Sequence, residues 1–141
     1  MVSNGILADN DLQELIEVYM GDLVGDHIYE KFGIEFPLLI KYIDANDDLS
    51  IQVHPDDEAK ERHNAYGKTE MWYIVDAEKD ASLVLGFNHE IDKATYLQAL
   101  HQNKLMDLLN VQKVKKGESF FIPAGLVHAI GKGCLIAEIQ Q

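Results

Sequence analysis

Cysteine occurs once, at Cys134, so the chain has no internal disulfide. A protein that does without disulfides fits a reducing compartment, and the cytoplasm is the expected location. Arginine is as scarce, with Arg62 alone. Lys and Arg together number 12 against 24 Asp and Glu, a formal net charge of −12. Nucleic-acid binding draws on a positive footprint, so this balance excludes a general nucleic-acid partner. No apolar run is long enough to span a bilayer, and the N-terminus lacks the charged-then-apolar order of a secretory signal, so no membrane partner is expected. Internal repeats and low-complexity segments are absent too. What is there is ordinary for one globular domain: 141 residues, 47% hydrophobic and 26% charged, enough to bury a core.

Along the chain, Asp9-Asn10-Asp11 offers caps for a helix over about 11–20, with Leu12, Leu15, Ile16 and Tyr19 as an amphipathic stripe that stops near Gly21. Asp26 to Tyr29 reads as another helical turn, and Pro37 closes this region. From Leu38 the period changes. Residues 38–43 form an apolar run of the length of a buried strand, and 49–53 a second strand after a polar turn. Pro55 followed by Asp56-Asp57-Glu58 opens a polar helix to about His63. The runs Met71–Val75 and Ser82–Phe87, separated by Asp76 to Asp80, have the grammar of a hairpin. Asp92 opens a helix carrying Ala94, Leu97 and Leu100, with Leu105, Leu108 and Leu109 in a following turn. Strands resume at 111–114, 119–122, 127–130 and 135–139. Many short strands with two helical insertions predict a mainly β fold, an antiparallel sandwich or small barrel, with a helical appendage over 1–36 and a β core over 37–141.

Four residues stand out chemically. Within Leu49 to Pro55, Gln52 and His54 are two apart and share one face of an extended chain. Glu70 and His128 are the other two. An amide oxygen, two imidazoles and a carboxylate suit a divalent metal: three such ligands plus water form the usual zinc catalytic site, and a neutral fourth oxygen allows five-coordination. Each alone has a plainer reading: Gln52 as a hydrogen-bonding amide, His54 as a satisfied core histidine, Glu70 as a strand terminus salt-bridged to Lys68. His27, His63, His89 and His101 lie in charged helical or turn regions and read as solvated. Trp72 and Tyr73 read as core, and Cys134 as a small buried hydrophobe.

Spacing adds weight. Gly117-x5-Pro123-x-Gly125-x2-His128 matches the second motif of the cupin jelly rolls, whose histidine is a metal ligand, although two β-turns and a chance histidine make the same pattern. The first cupin motif, His-x-His with a nearby glutamate, is altered to Gln52-x-His54 with Glu70 further on.

Taken together, Phe36 to Lys41, Leu49 to Pro55, Gly67-Lys68-Thr69-Glu70-Met71-Trp72-Tyr73 and Pro123-x-Gly125-x2-His128-Ala129-Ile130-Gly131 closely resemble type I phosphomannose isomerase, over essentially the whole chain. The resemblance implies a cupin jelly roll that holds one zinc ion through Gln52, His54, Glu70 and His128. It also implies Lys68 and Glu138 as catalytic groups, Ser50 beside the substrate phosphate, and a sugar phosphate as substrate. Family members carry a Trp-Gly-Gly segment upstream and a Ser-Asp-x-Thr-Tyr-Arg segment downstream, the latter with an active-site arginine. The chain is therefore expected to be a portion of a longer enzyme, with an open sheet edge suited to a homodimer. The competing readings are a non-catalytic metal-binding cupin that recognises a sugar, an iron or manganese oxygenase, for which the histidines are too few, and a metal-free structural domain.

Overall fold

Along residues 70–74 and 134–140 buried side chains recur at every second position, and the strands of the β core sort into two antiparallel sheets. The structure is a computed structural model and describes residues 1–56 and 67–141; the expected helix from Pro55 to His63 falls almost wholly outside them. The chain divides into two compact units, residues 1–38 and 39–141.

In the first unit, α1 (Leu12–Tyr19) begins with a capping box: the Asp11 carboxylate accepts from the Glu14 N–H, and the Glu14 carboxylate accepts from the Asp11 N–H. Leu15 and Ile16 are buried, whereas Leu12 and Tyr19, the outer members of the stripe, are exposed. The expected turn near Asp26 is a full helix, α3 (Asp26–Phe32), preceded by a single turn, α2 (Gly21–Val24).

The second unit holds β1 (Leu39–Asp44), β2 (Glu70–Ala77), β3 (Ser82–Phe87), β4 (Leu109–Lys113), β5 (Ser119–Ile122), β6 (His128–Ile130) and β7 (Cys134–Gln140), with α4 (Lys93–His101) and a 3₁₀ turn (Leu105–Leu108) between β3 and β4. One sheet has the order β1-β7-β2-β5 and the other β4-β3-β6. Trp72 and Ile74 of β2, Ile122 of β5, Cys134 and Ile136 of β7, Leu83 of β3 and Ile130 of β6 form one apolar cluster drawn from both sheets. Burying each large side chain of this kind is worth about 1.5–3 kcal/mol. Val84, Leu109 and Ala129 form a smaller cluster on alternate residues of the second sheet.

Four expectations fail here, each for a long-range reason. Residues 38–43 do not make a buried strand: β1 is the edge of its sheet, and Ile40 and Tyr42 are 63% and 75% exposed. Residues 49–53 are extended but form only an isolated bridge, Gln52 to His128. The hairpin does not exist, because β2 and β3 belong to different sheets and the 76–80 connection crosses between them. The helix expected after Asp92 is present as α4, with Ala99 buried and Ala94, Leu97 and Leu100 exposed. Tyr73 is exposed as well, on the outer face of β2, while Trp72 is core.

Candidate metal centre

The inward faces change character along the strands. On β2 the inward residues run Ile74, Trp72, Glu70; on β7 they run Cys134, Ile136, Glu138, Gln140; on β6 they run Ile130, His128. Ile74 is opposite Ile136, Trp72 opposite Glu138 and Glu70 opposite Gln140, so the facing pairs pass from apolar, through one mixed pair, to polar at the far end. There they border a cleft of about 170 Å³, on whose wall Ser50, Gln52, Lys68, Glu70, His128 and Glu138 are found.

Three backbone hydrogen bonds bring the two histidine segments together. Gln52 and His128 exchange N–H···O bonds of 2.9 Å in both directions, and the Gly125 N–H donates to the His54 carbonyl at 2.8 Å. Gly125 is the third residue of the turn closed by Leu126 N–H to the Pro123 carbonyl, and its φ of 83° is the reason a glycine stands there. The Lys68 N–H donates to the Pro55 carbonyl at 3.3 Å, which fixes the entry to β2 beside the same segment.

One donor atom from each of His54, Glu70 and His128 lies within 4.8 Å of the others. His54 Nε2 is 3.2 Å from Glu70 Oε1, and His128 Nε2 is 3.9 Å from Glu70 Oε2. Ligands about 2.0–2.1 Å from a tetrahedral zinc stand about 3.3 Å apart; the His54–Glu70 separation is close to this, and the 3.9 Å from Glu70 to His128 is longer. The tautomer fits too: His128 Nδ1 is 2.8 Å from the Leu126 carbonyl, which only accepts, so Nδ1 carries the proton and Nε2 presents its lone pair to the cluster. His54 Nε2 is buried without a hydrogen-bond partner among the described residues; it is near the Glu70 carboxylate but not aligned to it. A buried nitrogen in this state, 3.2 Å from a carboxylate, could serve as a donor to a metal ion. Burial, followed by the positive charge of Lys68, lowers the His54 pKa below its ordinary 6.5 and keeps the ring neutral.

That shift has a checkable consequence. In the metal-free protein the His54 ring is expected to titrate below 6.5 in NMR pH titrations, the reverse of what a carboxylate-paired histidine does. With the folded value below the unfolded one, the neutral ring favours the fold above pH 6.5, and this contribution is lost as the pH falls from there through the folded value. An elevated value would contradict the dominance of burial.

Charge alternates around the cleft. Lys68 Nζ lies 3.4 Å from Glu70 Oε1, the ion pair of its plainer reading. On the facing strand, Glu138, 3% exposed, lies 2.9 Å from Lys41 Nζ, which also donates to Gln140 Oε1 at 3.0 Å. Sequence reasoning missed Lys41 and Gln140. The signal for Lys41 was a lone cation two residues from Ile43 in an apolar run; nothing local marked Gln140.

A family model described as "Phosphomannose isomerase type I, catalytic domain" matches residues 2–106. The chain belongs to this family. The matched span carries Ser50, Gln52, His54, Lys68 and Glu70 and ends before His128 and Glu138. Two Bacillus subtilis (strain 168) proteins, the probable mannose-6-phosphate isomerase GmuF and the mannose-6-phosphate isomerase ManA, are each 42% identical over 146 aligned residues; these cover 99% and 100% of the chain and 43% and 44% of the relatives. The crystal structure of the mannose 6-phosphate isomerase from Bacillus subtilis superposes with a TM-score of 0.84 at 33% identity, over 100% of the chain and 44% of that structure. A putative mannosephosphate isomerase from Archaeoglobus fulgidus gives 0.77 at 27% identity, over 90% of the chain and 42% of that structure. The chain thus spans less than half the length of these family members. The antiparallel two-sheet architecture expected from the sequence is the one that these solved structures share with it.

Proposed function

We propose that the chain is the metal-binding part of a zinc-dependent aldose–ketose isomerase that interconverts mannose 6-phosphate and fructose 6-phosphate in the cytoplasm. The observation that carries this reading is the convergence of His54, Glu70 and His128 within 4.8 Å, with Gln52 bridged to His128, in a phosphomannose isomerase chain. Gln52, His54, Glu70 and His128 would hold one zinc ion per chain. Glu70 is the single charged donor among them, so the site keeps net positive charge when loaded.

The reaction moves a proton from C2 to C1 through an enediolate, and negative charge develops on O1 and O2. Zinc in this site supplies Lewis acidity toward those oxygens. The proton itself needs a base and an acid within the cleft. Glu70 is taken up by two imidazoles, Lys68 and Trp72, so Glu138, the other buried carboxylate at the cleft and paired with Lys41, is assigned to carry the carbon-bound proton. Lys68, 30% exposed at the cleft wall, suits hydroxyl proton transfer during ring opening and stabilises the charge on the substrate oxygens. Ser50, exposed at the same wall, is a hydrogen-bond donor for the phosphate. The cleft is smaller than the roughly 300–1,000 Å³ of a full small-molecule site, so the substrate extends past these residues.

The test is conversion of mannose 6-phosphate to fructose 6-phosphate by the zinc-loaded chain, with bound metal quantified in the same sample. One zinc per chain with turnover supports the whole reading. Zinc without turnover restricts it to the metal site and assigns the missing groups to the remaining length that the relatives have. A chain that takes up no zinc sinks it.

A further inference from the structure

Trp72 lies where the apolar core meets the metal-ligand cluster. It is 1% exposed and belongs to the core, yet its indole N–H points to the ionisable end of the sheet and donates to Glu70 Oε2 at 3.0 Å. A buried indole N–H needs an acceptor. Here the acceptor is a buried carboxylate two residues away on the same strand face, which makes the bond charge-assisted. The ring also meets His128 at right angles, with centroids 5.5 Å apart and planes at 80°. One aromatic side chain therefore touches two of the three clustered donors.

The two oxygens of Glu70 are divided between different neighbours. Oε1 faces His54 and Lys68, at 3.2 and 3.4 Å, and Oε2 takes the indole N–H. With each oxygen held by a different group, the carboxylate cannot rotate freely about its last bond. The two holders differ in one respect. Lys68 brings a positive charge, which opposes an incoming cation, whereas the indole orients the carboxylate and adds no net charge.

We infer that Trp72 is a positioning residue for the metal site, fixing the Glu70 carboxylate by its N–H and the His128 ring by their perpendicular ring contact before a cation arrives. The inference rests on the metal reading proposed above. It assigns to Trp72 the task that hydrogen-bond partners of metal ligands commonly perform, whose removal costs about 10–100-fold in metal affinity or activity.

The experiment is a zinc titration of the metal-free chain in competition with a chromophoric chelator, for the wild type and for Trp72→Phe. Phenylalanine keeps apolar bulk and loses the N–H. The dissociation constant for Zn²⁺ is expected to rise about 10–100-fold, with the circular dichroism of the metal-free variant unchanged. Equal affinities in the two proteins overturn the inference while leaving the metal site intact; a wild type that binds no zinc overturns the metal reading and this inference with it. Because Trp72 is the one tryptophan in the chain, a measurement on the unmutated protein decides the matter if the variant fails to fold. Its single indole N–H resonance is expected at low field, protected from exchange, and displaced as zinc is added. An indole signal that stays still while the chelator reports zinc binding overturns the inference.

Discussion

Glu70→Gln is expected to reduce bound zinc from one per chain to a residual fraction, with an affinity loss of at least ~10³-fold, beyond the roughly 100-fold that follows from losing a hydrogen-bond partner of a ligand. The substitution is nearly isosteric, so it opens no cavity in the sheet. What it removes is charge. His54, His128 and Gln52 are neutral donors, and Lys68 already places a positive charge 3.4 Å from the carboxylate. Without the carboxylate, a divalent cation would give up its hydration for four neutral donors beside an ammonium, and burying an unpaired charge costs several kcal/mol per ion. An amide oxygen is an acceptable ligand, as Gln52 is proposed to be, so the loss isolates electrostatics from ligand count. Metal analysis after gel filtration, together with chelator competition, reads the result. Wild-type stoichiometry and affinity in Glu70→Gln would remove Glu70 from the ligand set.

Glu138→Gln is expected to separate chemistry from metal binding. Zinc content should stay at the wild-type level, because Glu138 pairs with Lys41 on the adjacent strand, and among the described residues no ion pair or hydrogen bond joins it to His54, Glu70 or His128. Turnover of mannose 6-phosphate should fall about 10²–10⁴-fold, the usual contribution of a positioned general acid or base. The fall should appear in kcat, with KM changed little, since the amide keeps the size and hydrogen-bonding reach of the carboxylate. Steady-state kinetics on zinc-loaded enzyme at matched metal content gives both numbers. Undiminished kcat would show that the buried Glu138–Lys41 pair is structural and that the proton is carried elsewhere.

What was legible in the sequence was local. Gln52 and His54 two residues apart, Gly125 in a turn just before His128, and the strands expected at 82–87, 119–122 and 135–139 all express short-range geometry, and each appears in the structure. What escaped was partnership. An apolar run does not say whether it lies in the middle of a sheet or at its edge, which is why Leu39 to Ile43 looked buried. Nor do two strands and a short polar connection say whether they pair or cross between sheets, which is why β2 and β3 resembled a hairpin. Lys41 was overlooked for the same reason: its meaning comes from Glu138, 97 positions later and opposite it in register (138 − 41 = 97). The ligand cluster itself was foreseeable only through the family resemblance, because three widely separated residues with plain individual readings gain significance only when they meet.

The two-residue step from apolar to ionisable side chains has a further consequence. Ile74 follows Glu70 by two such steps on β2, Ile136 precedes Glu138 by one on β7, and Ile130 follows His128 by one on β6, counting along the inward face. A strand that slipped by one residue would turn its donors outward only by turning its isoleucines outward as well, exposing apolar surface at about 25 cal/mol per Å². Donor placement is thereby enforced from a distance by oil. The ionisable groups need no strong attraction for one another to be held at one end of the sheets.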